Sequence, residues 1–197
     1  MESIGVLEDP KVAAVALEPL RAELLALLAV APASAATLAG ALGQSRQKVR
    51  YHLHALEEHG LVLEVGRRRH GGITERVFAP SASSYVVSPS AMGRVGADPT
   101  RVADRLSSSY LLAVAARAVR EVGALARAAR EATKAVPTMT IDTEIRFGST
   151  DDRAAFADEL SAAVVALAGR YHDEGAVSGR WYRIVALSHP RPTEDVA

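Results

Sequence analysis

The most informative segment of this sequence is residues 45–60, which read SRQKVRYHLHALEEHG. Serine is favoured just before a helix and glycine just after one, so Ser45 and Gly60 predict a helix from residue 46 to about residue 59. Apolar residues recur within it at intervals of four and three: Val49, Leu53 and Leu56. That spacing places them on one helical face, which we expect to turn toward a core.

Further short helices precede this segment along the chain. Ser34 is placed to cap a helix over residues 35–42, and Gly43 supplies the left-handed residue that ends it. Two earlier helices are predicted over residues 11–17 and 19–29, the second with proline at its first position. Two short helices joined by a tight glycine turn, the second with a cationic exposed face, are typical of a helix-turn-helix.

A β-hairpin is predicted immediately after the helix-turn-helix. Residues 61–65 predict one strand and residues 73–79 the returning strand, with the glycine- and arginine-rich residues 66–72 as a flexible basic tip. A hairpin that directly follows a recognition helix is a wing. We therefore predict an α+β fold whose first domain, residues 1–80, is a winged helix-turn-helix that binds DNA.

Three stretches of this region resemble the ArsR-type winged-helix transcriptional regulators: residues 17–25 (LEPLRAELL), 38–43 (LAGALG) and 49–62 (VRYHLHALEEHGLV). The resemblance covers about residues 10–80, and MarR-like and PadR-like proteins share much of the pattern. It implies a homodimer that binds a palindromic operator, usually as a repressor that an effector releases. Many such regulators sense metals through cysteines or through Asp/His clusters on a C-terminal helix. This chain has no cysteine and no histidine in its predicted long helix, so we predict no metal site.

The charged residues balance overall but are unevenly distributed. Lys plus Arg and Asp plus Glu number 23 each, so the formal net charge is zero. Residues 43–56 nevertheless carry cations and no acid, and residues 66–70 carry consecutive arginines. Because the local distribution of charge matters more than the total for an anionic partner, we expect double-stranded DNA to bind these two clusters.

The candidate DNA contacts divide into three groups. Base-edge and backbone contacts in the major groove are assigned to Arg46, Gln47, Arg50, Tyr51 and His54. Phosphate contacts near helix starts are assigned to Ser34, Thr37, Ser45 and Lys48. Contacts to phosphates or to the neighbouring minor groove are assigned to Arg67, Arg68 and Arg69. The simpler interpretations are a solvated helix face and a charged hairpin end that prevents edge pairing.

The remaining two thirds of the chain predict a linker and a second region. Residues 81–97 are rich in Ser, Pro and Gly and are assigned to the linker. Residues 98–197 are assigned to dimerisation and to effector binding. A helix over about residues 98–133, roughly 50 Å long, exceeds what the core of one subunit needs, so we predict a dimerisation helix. A small α/β region is predicted after it, with strands over residues 138–147 and 181–188 and a helix between them.

Two alternatives to an effector-controlled repressor stay open. The chain could be a winged-helix protein–protein interaction module, or a constitutive DNA-binding protein without an effector. A small apolar effector could bind beside Met139, Phe147, Trp181 and Tyr182, although an Ala-rich core would also use these large residues.

Several other classes of function are not predicted. The sequence has no recognisable arrangement of nucleophile and base and no phosphate- or dinucleotide-binding loop, so we predict no enzyme, no catalytic residue and no cofactor. No apolar stretch is long enough to span a bilayer, and no charged-then-apolar leader is present, so we expect a cytoplasmic protein.

Overall fold

The computed structural model describes residues 2–70 and 73–192. The chain divides into two compact units, Met1–Val136 and Pro137–Ala197. Helices and sheets are both present, which is consistent with the predicted α+β class. No described helix has both the length and the apolar character that crossing a membrane requires.

Four short helices occupy the N-terminal part of the first unit. They are α1 (Pro10–Leu17), α2 (Pro19–Val30), α3 (Ala35–Leu42) and α4 (Arg46–Glu58). In each case a side-chain oxygen of the preceding residue accepts a hydrogen bond from a backbone N–H of the first turn, as helix capping requires. The four helices predicted from the sequence are confirmed, with only small differences at their ends.

The core of the first unit contains the apolar stripe predicted for α4. Its three members are essentially inaccessible to solvent, and they share one cluster with buried leucines of α2: Val49, Leu53, Leu56, Leu24 and Leu28. Complete burial of each such side chain contributes about 1.5–3 kcal/mol to folding. This cluster therefore fixes α4 against α2 and leaves the other face of α4 in solvent.

Two small sheets complete the described part of the first unit. The strands β2 (Ala33–Ser34), β4 (Ile73–Pro80) and β3 (Val62–His70) form an antiparallel sheet in the order β2–β4–β3. The strands β1 (Glu2–Leu7) and β5 (Ala82–Val87) pair in parallel. The hairpin of β3 and β4 was predicted, whereas β1 was not, and β5 lies inside the segment assigned to a linker. A local pattern cannot reveal the pairing of two strands that are so distant along the chain.

The long helix of the first unit is shorter than predicted. It is α5 (Ser108–Glu131), and the residues before it include a 3-10 turn, Pro99–Arg101, instead of the first turns of an α-helix. Two caps explain the difference, because the side chain of Asp98 accepts from the Thr100 N–H and that of Ser107 accepts from the Tyr110 N–H. Each cap begins a separate element, so the continuous helix over residues 98–133 was wrong.

One face of α5 packs within its own subunit. A Cβ atom at Gly123 would lie 2.8 Å from Val6 Cγ1 of β1, so only glycine permits this close approach. Arg127 pairs with Glu8, and Arg130 pairs with Glu2. Val114, on the stripe that we expected to pair with a second subunit, is 6% exposed in the single chain. The structure thus commits part of the predicted dimer stripe to the subunit itself.

The second unit contains one helix and no strand in its described part. The predicted helix is present as α6 (Thr150–Tyr171), which starts after the Ser149 cap. Residues 138–147 and 181–188 are irregular in the structure, so the two predicted strands are wrong for the single chain. A strand needs a neighbour to pair its backbone N–H and C=O groups, and the amphipathic pattern of a segment cannot supply that neighbour.

Candidate nucleic-acid interface

The turn between α3 and α4 has the geometry of a helix-turn-helix. Gly43 adopts the left-handed conformation, with φ 61° and ψ 26°, where a side chain would be strained. The Gln44 N–H donates to the Ala39 carbonyl at 3.0 Å and closes the end of α3. The Ser45 hydroxyl then accepts from the Lys48 N–H at 3.2 Å and starts α4. These local bonds define the end of α3, the turn and the start of α4.

The exposed face of α4 carries the residues predicted to reach DNA. All five candidate major-groove residues are exposed, and the helical period places them within one arc that does not include the buried stripe: Arg46, Gln47, Arg50, Tyr51 and His54. His54 Nε2 lies 3.4 Å from a carboxylate oxygen of Glu58, one turn further along the helix. The structure therefore brings the predicted set together on one accessible surface.

The candidate phosphate contacts differ in their accessibility. Ser45, Thr37 and Lys48 are exposed, and the ammonium group of Lys48 donates to the Gln44 side chain at 3.0 Å. Ser34, by contrast, is 3% exposed. Its hydroxyl donates to Glu75 at 2.7 Å and accepts from the Thr37 N–H at 3.2 Å. Ser34 therefore caps α3 and ties it to β4, and we withdraw it as a phosphate contact.

The arginines of the hairpin lie in a strand and not in a flexible tip. β3 continues to His70, and Arg67, Arg68 and Arg69 pair with residues of β4 on the neighbouring strand. Gly71 and Gly72 of the predicted tip lie outside the described residues. Because successive strand residues face opposite sides, Arg67 and Arg69 share one face of the hairpin and Arg68 takes the other. The three arginines are exposed, but they cannot all contact the same side of a DNA groove.

An ion-pair network that sequence reasoning missed joins α4 to the hairpin. The guanidinium of Arg76, on β4, donates to Glu57 of α4, with one distance of 3.1 Å, and to Glu64 of β3 at 2.5 Å. It also lies 4.8 Å above the ring of Phe78. Arg67 donates to the other oxygen of Glu64 at 2.8 Å. We call Arg76, Glu57 and Glu64 the hairpin clamp.

The hairpin clamp alters the ionisation of its members. Hydrogen bonds from Arg67 and Arg76 hold the pKa of the Glu64 carboxyl below its ordinary value. Hydrogen bonds to Glu57 and Glu64 raise the pKa of the Arg76 guanidinium. The network was invisible in the sequence because its members come from three different elements and follow no local spacing. The only signal in the sequence was the presence of two acidic residues, at positions 57 and 64, close to the basic hairpin.

A second contact fixes α4 from the other side. Glu18, the cap of α2, accepts from the Arg21 N–H at 3.0 Å. Its carboxylate also lies 3.3 Å from Nδ1 of His52, whose side chain is 12% exposed. His52 thus lies beside the buried stripe and takes part in the packing of α4. In the part of the chain that the structure describes, no three His, Asp or Glu side chains form a group that could hold a metal ion.

The comparisons with known proteins bear on this geometry. Residues 16–65 match the family model described as a helix-turn-helix domain. The matched range runs from the end of α1 through α4 into β3. The chain contains a helix-turn-helix DNA-binding domain. No curated protein matches the chain.

Proposed function

We propose that the chain is a sequence-specific transcriptional regulator that binds a palindromic operator as a homodimer. One observation carries the proposal: α4 exposes a cationic and amide-bearing face, while its apolar stripe is buried beneath it. An α-helix of this kind fits the major groove, where arginine pairs with guanine and glutamine with adenine. The hairpin that follows α4 would act as the wing, so that the domain would be a winged helix-turn-helix of the ArsR type.

The residues take different roles in this proposal. Arg46, Gln47, Arg50, Tyr51 and His54 read base edges or hold the adjacent backbone, since they share the exposed arc of α4. Phosphate contacts that set the register come from the exposed residues near helix starts: Thr37, Ser45 and Lys48. The hairpin arginines grip phosphates or the neighbouring minor groove, with Arg68 on one face and Arg67 and Arg69 on the other.

The hairpin clamp gives the wing a defined position. The charge of Arg76 is paired with Glu57 and Glu64 within the domain. We therefore propose that Arg76 positions the hairpin and does not contact a phosphate. Because Glu57 is on α4 and Glu64 is on the hairpin, the clamp sets the angle between the recognition helix and the wing. A loosened clamp would let the two bind DNA independently and lose part of their combined affinity.

The regulatory part of the proposal follows the resemblance to ArsR-type proteins. In that scheme the dimer represses its operator in the cytoplasm, and a small apolar effector releases it. The residues first considered for the effector do not enclose a pocket in the single chain. Met139, Trp181 and Tyr182 are exposed, and Phe147 packs against Phe156 with ring centroids 5.4 Å apart. An effector pocket of these residues would have to form on assembly.

A selection experiment tests the proposed function. The full chain is incubated with a random double-stranded library at low salt, and bound DNA is amplified and sequenced. We expect an inverted repeat whose half-sites lie about one helical turn, roughly 10 base pairs, apart. The Arg46→Ala/Arg50→Ala double variant is the control and should enrich no motif. Absence of any enriched motif with the wild-type chain would favour the protein–protein module.

The constitutive alternative has its own test. Operator affinity and thermal unfolding are measured together against a panel of small apolar compounds. A compound that both weakens operator binding and raises the unfolding temperature supports release by an effector. A panel in which none does so favours constitutive binding.

A further inference from the structure

The second unit buries almost none of its described residues within itself. Among its described residues, 137–192, only Phe147 and Val164 are even half-buried, and every other residue is exposed. Large apolar side chains of both irregular segments and of α6 are among the exposed ones: Met139, Ile141, Ile145, Leu160, Leu167, Trp181, Tyr182, Ile184 and Leu187. A segment of this size cannot stay folded without burying apolar surface, so another surface must cover it.

The two irregular segments have the pattern of strands that lack a neighbour. In residues 138–147, apolar and polar residues alternate with one exception, Thr143, which is the pattern of a strand with one buried face. Residues 181–188 are apolar or aromatic at six of eight positions, as in a strand covered on both faces. Exposed strand-forming segments of this kind pair readily with another chain.

The two segments are also complementary in charge. The first carries Asp142 and Glu144, whereas arginines flank or interrupt the second, at positions 180, 183 and 191. Arg191 lies 3.3 Å from a carboxylate oxygen of Glu144, so the two segments already meet at one point within the chain. One chain therefore contains both halves of a complementary pair, and a two-fold axis would present each half to its counterpart.

We propose that a second copy of this chain covers the second unit. In the dimer, residues 138–147 and 181–188 of the two copies become strands of one shared sheet, and α6 packs its apolar side against that sheet. The homodimer of the proposed function is thereby assigned to the second unit and not to α5, part of whose stripe is buried in its own subunit. The inference concerns a surface separate from the DNA contacts, and its test uses no DNA.

The test is the mass of the full chain in solution, measured by sedimentation equilibrium at micromolar concentration. The informative variant is Ile141→Asp/Ile184→Asp, because these side chains are 82% and 64% exposed in the single chain and their loss costs the monomer little. Thr140→Asp/Ser188→Asp is the matched control, because it adds the same two negative charges to the two segments at exposed polar positions and should leave the dimer intact. Leu125→Asp, at a 54% exposed position, tests the competing interface on α5.

We expect a wild-type dimer, a monomeric Ile141→Asp/Ile184→Asp variant, and a Leu125→Asp variant that stays dimeric. Hydrogen exchange should show slow amides over residues 139–147 and 182–187 in the wild type and fast ones in the monomeric variant. A wild-type monomer, or a dimer broken by Leu125→Asp but not by the Ile variant, would overturn the proposal. Circular dichroism of the monomeric variant, with α1 to α5 still folded, excludes global unfolding as the cause of dissociation. DNA selection with the wild type remains an independent measurement, so the two proposals can fail separately.

Discussion

The helices α4 and α6 both carry large apolar residues at helical spacing, yet only one of them buries these residues. In α4 the residues Val49, Leu53 and Leu56 are 0–1% exposed, whereas Phe156 and Leu160 of α6 are about 40% exposed. The start of the helix does not explain the difference, since both helices have serine caps. It comes from what surrounds them: α4 has α2 and the hairpin to pack against, and α6 has two irregular segments.

This contrast shows that a helical pattern predicts the existence of an element better than its burial. In the first unit the partners of α4 come from neighbouring parts of the chain, so one subunit supplies the whole core. In the second unit the strands that should cover α6 need neighbours of their own. The same kind of sequence pattern is thus satisfied inside one subunit in the first case and, by our proposal, between two in the second.

The largest expected effect is the salt dependence of operator binding, which we expect to depend on the first unit and not on the second. If the DNA contacts reside in the first unit, operator affinity should fall about 10³–10⁵-fold between roughly 50 and 200 mM salt, as expected for 6–10 neutralised phosphates. Fluorescence anisotropy with labelled operator measures the slope. Arg170→Ala, which removes an exposed cation of α6, is the control and should leave the slope unchanged. A flat response of the wild type would remove the basic clusters as DNA contacts.

The next effect concerns stability and compares the two helices directly. Leu53→Ala should lower the free energy of unfolding of the first unit by about 2–5 kcal/mol, since a buried leucine leaves a cavity. Leu160→Ala, made in the monomeric Ile141→Asp/Ile184→Asp background, should change the free energy of unfolding of the second unit by less than about 0.5 kcal/mol. Urea unfolding followed by circular dichroism gives both values. Equal losses would mean that α6 has a core of its own in the single chain.

A smaller effect distinguishes the residues of the first unit that contact bases from those that contact phosphates. Arg50→Ala should cost about 1–3 kcal/mol of operator affinity and change which base is preferred, if the arginine reads guanine. Arg68→Ala should weaken binding to all sequences alike and reduce the salt slope by about two, one for each subunit of the dimer. Titrations with operators changed one base pair at a time distinguish the two. Identical behaviour of both variants on every operator would contradict this division of roles.

The smallest effect tests the hairpin clamp. Arg76→Gln should weaken operator binding a few-fold but leave the salt slope unchanged, because the charge of Arg76 is neutralised within the domain. Glu57→Gln should have a similar effect, and the double variant should be no worse than either single one, since both break one contact. A reduced salt slope for Arg76→Gln would instead make Arg76 a phosphate contact.

The same clamp predicts a pH dependence. The pKa of Glu64 is lowered by its arginine partners. The clamp is therefore complete above the ordinary pKa of glutamate and is lost as the pH falls through the lowered value in the folded protein. We expect the affinity difference between the wild type and Glu64→Gln to shrink as the pH falls through that range. A difference that stays constant with pH would show that ionised Glu64 plays no part.

Local sequence signals account for most of the candidate interface. Serine caps, the glycine at position 43 and the spacing of Val49, Leu53 and Leu56 each act over short distances along the chain, so they could be read without a structure. The misplaced features depend on distant contacts. Ser34 looked free because its partner, Glu75, belongs to a strand on the far side of the helix-turn-helix in the sequence. The hairpin arginines looked like a tip because the extent of β3 depends on β4.

The sequence by itself determined the helix-turn-helix, because capping, glycine turns and helical periodicity are short-range properties that every copy of the chain carries. Only the tertiary structure decided which groups are already in contact within the chain. Ser34 bonds to Glu75, Arg76 pairs with the two glutamates, and one face of α5 packs on β1. The tertiary structure also decided that residues 138–147 and 181–188 form no strands in the single chain. The physical reason is that hydrogen bonds between strands, ion pairs and buried apolar area belong to pairs of segments, and a linear pattern specifies only one member of each pair.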